Sequence, residues 1–230
     1  MTQDEAIKQA VEEFVKELLA LLNEVKEEAV VSAPVPVPVE DLSAFFNHIR
    51  KPLFTRLTAS QVKGHESVIE VMKEHKVPLS WAAYILATSY HETARKMQPV
   101  REGLNASDAW RKRNLRYYPW YGRGHVQLTW EENYVKADKK LGLGGALAKN
   151  ADLALDPVIS AEVLVVGMLE GWFSGDKTGR HTLLRHLPNK NKATRTQFKN
   201  ARRIVNIMDK ADLIAGHALV YQEALIKAGY

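Results

Sequence analysis

The sequence predicts a mainly α-helical domain with a small irregular or β-hairpin segment, preceded by an N-terminal amphipathic helix. Three observations lead there. Apolar residues recur at helical spacing from residue 41 to the end of the chain. Residues 98–129 lose that period and become rich in aromatics, Arg and Gly. A stretch with proline at every second position, Pro34, Pro36 and Pro38, separates this body from a heptad-like leader.

The elements follow in order. Within residues 1–29, Ile7, Val11, Phe14, Leu18, Leu21 and Val25 alternate spacings of 4 and 3, and Val15, Leu19 and Leu22 widen the stripe. This predicts a helix over residues 3–29, either a coiled coil or docking helix for a homo-oligomer or protein partner, or a helix folded back on the body. Residues 30–40 read as a stiff Pro-Val spacer, because proline removes amide donors and favours the extended polyproline form. Residues 41–230 form the main domain, with helices predicted over 41–50, 59–76, 80–97, 130–141, 157–173 and 194–228. Ser80 after Pro78 reads as an N-cap, and Asp156-Pro157 as an N-cap with proline at the first helical position.

Charge divides the chain at the same place. The 230 residues carry a net charge of +5. Residues 1–41 hold ten acids and three bases, and the remainder 29 bases against 17 acids, so −7 precedes +12. A basic body suits a polyanionic partner, nucleic acid or an anionic cell-wall polymer. No run of 18 apolar residues exists, so no stable membrane insertion is expected. The start at Met1 lacks the pattern of a secretory signal, so synthesis in a cytoplasm is expected. With no cysteine there is no disulfide framework, thiolate metal site or cysteine nucleophile.

Several motifs fail on spacing. His91-Glu92-Thr93-Ala94-Arg95 ends in Arg where a zinc protease needs His. Gly122-Arg123-Gly124 lacks a third glycine and a preceding parallel strand. No metal and no cofactor are expected. The cluster of Lys190, Lys192, Arg195, Lys199, Arg202 and Arg203 reads as a solvated helix face, and with no nucleic-acid motif beside it no nucleic-acid partner is expected.

One constellation carries chemistry. The helix over 80–97 is apolar on most of its surface, yet Thr88, Glu92 and Arg95 form a polar strip near its end. A carboxylate on a buried helix is costly unless paired or used. The strip is therefore either a solvent edge, with Glu92 paired to Arg95 or Lys96, or part of a site. Ten residues on stands Glu102. Two carboxylates beside one cleft are what glycoside hydrolysis needs, one to protonate the leaving oxygen and one to activate water. Trp110, Tyr117, Tyr118, Trp120, Tyr121, Trp130 and Tyr134 follow, interleaved with Arg111, Arg113, Arg116 and Arg123. Flat rings with polar tips suit sugar faces, although about half of such rings serve a core instead.

Ser89-Tyr90-His91-Glu92-Thr93, the run Tyr121-Gly122-Arg123-Gly124-His125-Val126-Gln127-Leu128-Thr129-Trp130 and the pair Asn133-Tyr134 resemble the family 19 chitinases. They are closer still to the chitinase-like endolysins of phages and bacteria in the lysozyme superfamily. Asp152 to Pro157, Gly171-Trp172-Phe173 and Arg203 to Asn206 extend the resemblance over roughly residues 42–228. It implies a two-lobed, lysozyme-like helical domain and a glycoside hydrolase. It implies Glu92 as general acid, Glu102 as the second carboxylate and Thr129 as a holder of the attacking water. It implies sugar contacts from Gln127, Asn133, Tyr134 and Asn206, with His91, Tyr121 and Trp130 in the same motifs, and an Arg paired with the acid, Arg202 or Arg203. The departures are a short segment between the glutamates and Ile207-Met208 where the family often has glycines. The expected activity is hydrolysis of β-1,4 bonds in peptidoglycan glycan strands by an inverting mechanism. Chitin hydrolysis and a non-catalytic wall-binding or virion protein stand as alternatives. An endolysin would reach the wall through a separate pore-former, and a virion-associated lysin on the particle.

Overall fold

The computed structural model describes residues 42–173 and 181–230. The leader helix and the spacer predicted over residues 1–40 lie outside the described residues. Mainly α is borne out. Among the described residues the chain forms α1 (Leu42–Leu53), α2 (Ala59–Glu74), α3 (Leu79–Glu92), β1 (Val100–Arg101), α4 (Asp108–Asn114), β2 (Arg123–Gly124), α5 (Glu131–Lys140), α6 (Ala146–Lys149), α7 (Pro157–Glu170), α8 (Leu183–His186), α9 (Arg195–Ala201) and α10 (Ala211–Lys227). Turns of 3-10 helix at Ala151–Leu155 and Arg202–Ile204 precede α7 and follow α9. No helix of the described residues is long and apolar enough to cross a membrane.

The core is built around α3. Its run from Ala82 to Tyr90 is buried on every side, as an all-round apolar helix requires. Burying Ile85 or Leu86 there contributes about 2 kcal/mol each. Helix α10 packs along α3 and α1 through Ile214, Ala215, Ala218, Tyr221, Ala224 and Leu225, the alanines giving the close approach. Helix α7 packs across α2, where His75 Nε2 lies 3.0 Å from Glu162 Oε2. Asp156 caps α7 as predicted, its carboxylate accepting from the amides of Val158 and Ile159 with Pro157 next in line.

Three expectations fail locally. Ser80 is not an N-cap. The helix begins at Leu79 after Pro78, and the Ser80 hydroxyl donates to the Pro188 carbonyl, tying α3 to the chain before α9. The helix predicted to run to 97 stops at Glu92. Thr93 Oγ1 donates to the Ser89 carbonyl and accepts from the Met97 amide at 3.0 Å, and Ala94, Arg95 and Met97 take positive φ. Such conformations in non-glycine residues cost about 1 kcal/mol or more each, so surrounding contacts must enforce them. They do: this turn lies on α2 at Gly64, where a Cβ would stand 1.5 Å from the Met97 carbonyl oxygen. The helix predicted over 194–228 is two helices, interrupted at residues 202–210, where Arg202 turns inward and Lys210 takes φ +55°.

The irregular segment holds a minimal antiparallel pair, Val100 opposite Gly124 and Arg101 opposite Arg123. A further bridge joins Arg123 to Leu128. Helix α4, capped by Ser107, fills part of the connection.

Candidate active site

Glu92 ends α3, and its partner comes from the far end of the chain. Arg202 Nη1 donates to Glu92 Oε1 at 2.8 Å, while Arg202 Nε donates to the Asp209 carbonyl. Arg202 is 1% exposed, and the Glu92 side chain keeps 18%. Arg202 rather than Arg203 is therefore the arginine that meets Glu92. Arg95 and Lys96, candidate partners on a solvent edge, are exposed in the turn after α3, where Arg95 takes φ +69°, and Thr88 is fully buried. His91, beside Glu92, is half-buried, and desolvation holds its imidazole below the ordinary value.

Glu102 follows β1 and is held from two sides. Its Oε1 accepts from the Tyr117 hydroxyl at 2.6 Å, and its Oε2 from the Gly122 amide at 2.9 Å. Desolvation, with the Glu102 carboxylate second, pushes the Tyr117 phenol up to about 12, so near neutrality it remains a proton donor. Gly122 marks where the polar groups converge. A Cβ there would lie 2.8 Å from Gln127 Oε1, 3.2 Å from Glu102 Oε2 and 3.3 Å from Thr129 Oγ1. Only glycine leaves that space open.

The hairpin fixes the remaining groups. Gln127, at φ +56°, spans it by donating to the Val100 and Gly124 carbonyls at 3.1 and 3.2 Å. Thr129 Oγ1 donates to the Gln127 carbonyl at 2.8 Å, and Asn133 Nδ2 to the Thr129 carbonyl at 2.8 Å. The Ser89 hydroxyl, one helical turn before Glu92, meets His125 Nδ1 at 2.8 Å and so ties α3 to the hairpin. Burial pushes the His125 imidazole down to about 3.

The structure sorts the predicted contacts by exposure. Glu102, Gln127 and Thr129 come together around Gly122, with Asn133 attached. Trp130 is 40% exposed, stacked edge-on with Tyr117 and topped by Arg116. Asn206 is exposed in the turn that Arg202 anchors, its amide donating to the Arg202 carbonyl at 2.9 Å. Tyr121 and Tyr134, predicted to touch sugar, are buried. Tyr134 donates to the Tyr121 carbonyl at 2.8 Å, and the Arg123 guanidinium lies 3.6 Å from the centre of the Tyr121 ring. Both rings pack around the Arg123 guanidinium behind the hairpin. Tyr134 is fully enclosed and has no face to offer a ligand, and Tyr121, 2% exposed, only borders a neighbouring cleft.

Two contributors had no signal of their own in the sequence. Tyr117 was one of seven clustered aromatics, and its hydrogen bond to Glu102 spans 15 residues. Gly122 stood out only as part of a run.

Comparisons place these features beside known proteins. No protein-family model matches the chain. The acidic 26 kDa endochitinase of Solanum lycopersicum is 45% identical over 47 residues, 20% of this chain and 19% of the relative. The acidic endochitinase pcht28 of Solanum chilense is 50% identical over 42 residues, 18% of this chain and 17% of the relative. The matches thus span less than a fifth of the length of these curated relatives. Among solved structures, a mutant of a chitinase C is similar with a TM-score of 0.49 at 20% identity, over 84% of this chain and 77% of that one. Chitinase C from Streptomyces griseus is similar with a TM-score of 0.44 at 18% identity, over the same shares.

Proposed function

We propose that the chain is an inverting glycoside hydrolase acting on the glycan strands of peptidoglycan. The observation that carries this reading is the pair of differently held carboxylates. Arg202 occupies Oε1 of Glu92, leaving Oε2 to carry a proton and donate it to the glycosidic oxygen. Glu102 is oriented by Tyr117 and the Gly122 amide, and Thr129 Oγ1 points to the same space. A water placed there loses a proton to Glu102 while its oxygen attacks the anomeric carbon from the face opposite the leaving group. The bond to the leaving oxygen breaks as Glu92 protonates it, and the configuration inverts. Gln127, Asn133, Trp130 and Asn206 contact the sugars, with His91 beside the acid.

Peptidoglycan is favoured by charge. The body carries +12, and the stem peptides of peptidoglycan carry carboxylates, whereas chitin is neutral. Chitin hydrolysis is the second reading, favoured by the names of the two Solanum relatives. Release of reducing ends from purified sacculi and from chitin oligomers separates the two. Faster release from sacculi is expected, and release from chitin alone would reverse the assignment. Glu92→Gln is expected to abolish release while retaining the helical circular dichroism of the wild type. Wild-type turnover by that variant would remove Glu92 as the acid.

A further inference from the structure

A cleft of about 580 Å³ opens beside the hairpin, and its lining includes Arg101 but none of Glu102, Gln127 or Thr129. Arg101 ends β1, and Glu102 follows it in a bend with its carboxylate held by Tyr117 and the Gly122 amide. The cleft thus has Arg101 in its wall, while the Glu102 carboxylate stands outside its lining.

Charge in this cleft is unbalanced. Arg101, Arg111, Arg123 and Lys149 line it, against Asp108 and Asp152. Asp152 is shared: Arg101 grips both its oxygens, at 2.5 and 2.9 Å, and Arg123 Nε reaches Oδ1 at 2.8 Å. Those hydrogen bonds, Arg101 foremost, hold the Asp152 carboxyl below its ordinary range. Asp108 accepts from the Tyr118 hydroxyl. Arg111 is buried and, among the described residues, donates to the carbonyls of Glu102 and Gly103 and to no carboxylate. Lys149 is exposed and its ammonium makes no hydrogen bond or ion pair with another described residue, although it lies within electrostatic reach of Asp138, whose carboxylate is held by the amides of Gly145, Leu147 and Ala148. Among the lining residues four cations face two carboxylates, an excess of two positive charges that Asp138 offsets in part at Lys149, beside the rings of Tyr118, Pro119, Trp120 and Tyr121.

We propose that this cleft is an accessory site for the carboxylate of a short acidic peptide branch carried by the glycan, an inference that rests on the hydrolase reading above. Arg111, which donates to carbonyls, and the exposed Lys149, whose ammonium is in no ion pair among the described residues, supply the attraction, and the aromatic walls suit the small apolar side chains of such a branch. Arg111 links this site to the catalytic side, because its Nε also holds the Glu102 carbonyl at 2.8 Å. A branch bound here would be read beside the hairpin, outside the cluster that Glu102, Gln127 and Thr129 form around Gly122.

The test uses a probe with no glycosidic bond, so its outcome is independent of hydrolysis. The full chain is titrated with N-acetyl-Ala-Glu bearing free carboxylates, with its diamide, and with glycerol phosphate, by calorimetry at low and physiological salt. The free acid is expected to bind, the diamide not to bind, and added salt to weaken binding by screening. Lys149→Glu is expected to weaken the acid roughly tenfold and Lys149→Arg to retain it. Equal binding of acid and diamide, or an unchanged affinity in Lys149→Glu, would overturn the proposal. Binding of glycerol phosphate in preference to the acid would overturn the peptide carboxylate as ligand. Failure of the protein to release sugar from sacculi or chitin would instead count against the hydrolase reading.

Discussion

At the scale of single residues, the site depends on what stands next to each glutamate. Gly122→Ala places a methyl among Gln127 Oε1, Glu102 Oε2 and Thr129 Oγ1. Displacing a catalytic group by about 1 Å can cost roughly a hundredfold in rate, so kcat is expected to collapse while the melting temperature moves little. Tyr117→Phe removes one donor from Glu102. A hydrogen bond of about 1 kcal/mol corresponds to roughly a fivefold to tenfold loss, expected in kcat rather than in KM. Arg202→Met acts differently, because it leaves Glu92 and the Asp209 carbonyl without their donor in a sheltered place. Removing one member of a buried pair costs about 3 kcal/mol, read as a lower denaturant midpoint, with activity lost as well.

At the scale of elements, the decisive contact is the crossing of α2 by the turn after α3. Gly64→Ala puts a methyl 1.5 Å from the Met97 carbonyl oxygen, a clash with backbone that no rotamer change relieves. Overpacking of this kind costs about 3 kcal/mol, and the turn that releases Glu92 from the helix is expected to shift with it. The measurement is thermal melting together with activity, and a fully stable, fully active Gly64→Ala would show that the turn tolerates the strain. The same turn explains why helical periodicity overran. Residues 93–97 have the composition of a helix end, and only their seat on α2 forces three left-handed residues there.

At the scale of the whole molecule, stability depends on pH through buried histidines. His65 sits among Phe45, Phe46 and Phe54 and bonds the Tyr221 hydroxyl, and burial pushes its imidazole down to about 4. His125 is pushed down to about 3 by burial, and His217 to about 4. The unfolded chain takes up protons near pH 6.5, and the folded chain does not until about 4. Stability is therefore whole above pH 6.5 and falls as pH drops from there toward 4. His65 alone accounts for about 3 kcal/mol of that fall. Melting scans from pH 7.5 to 4.5 are expected to show a steadily falling transition, and His65→Gln is expected to flatten it.

The helical class and the cap of α7 were legible in the sequence, because periodicity and capping join residues within one or two turns. The Glu92 motif and the run from Tyr121 to Trp130 were legible as a resemblance carried by short strings. Which arginine meets Glu92 was not, since that contact joins residues 110 apart and exists only once α9 and α10 close against α3. Nor could the sequence tell the buried Tyr121 and Tyr134 from the exposed Trp130, because a ring that packs a wall and a ring that faces solvent have the same spacing. Local pattern determined which elements form, and chain closure decided which side chains meet. A contact between distant residues depends on the packing of every element between them, and no window of sequence contains that packing.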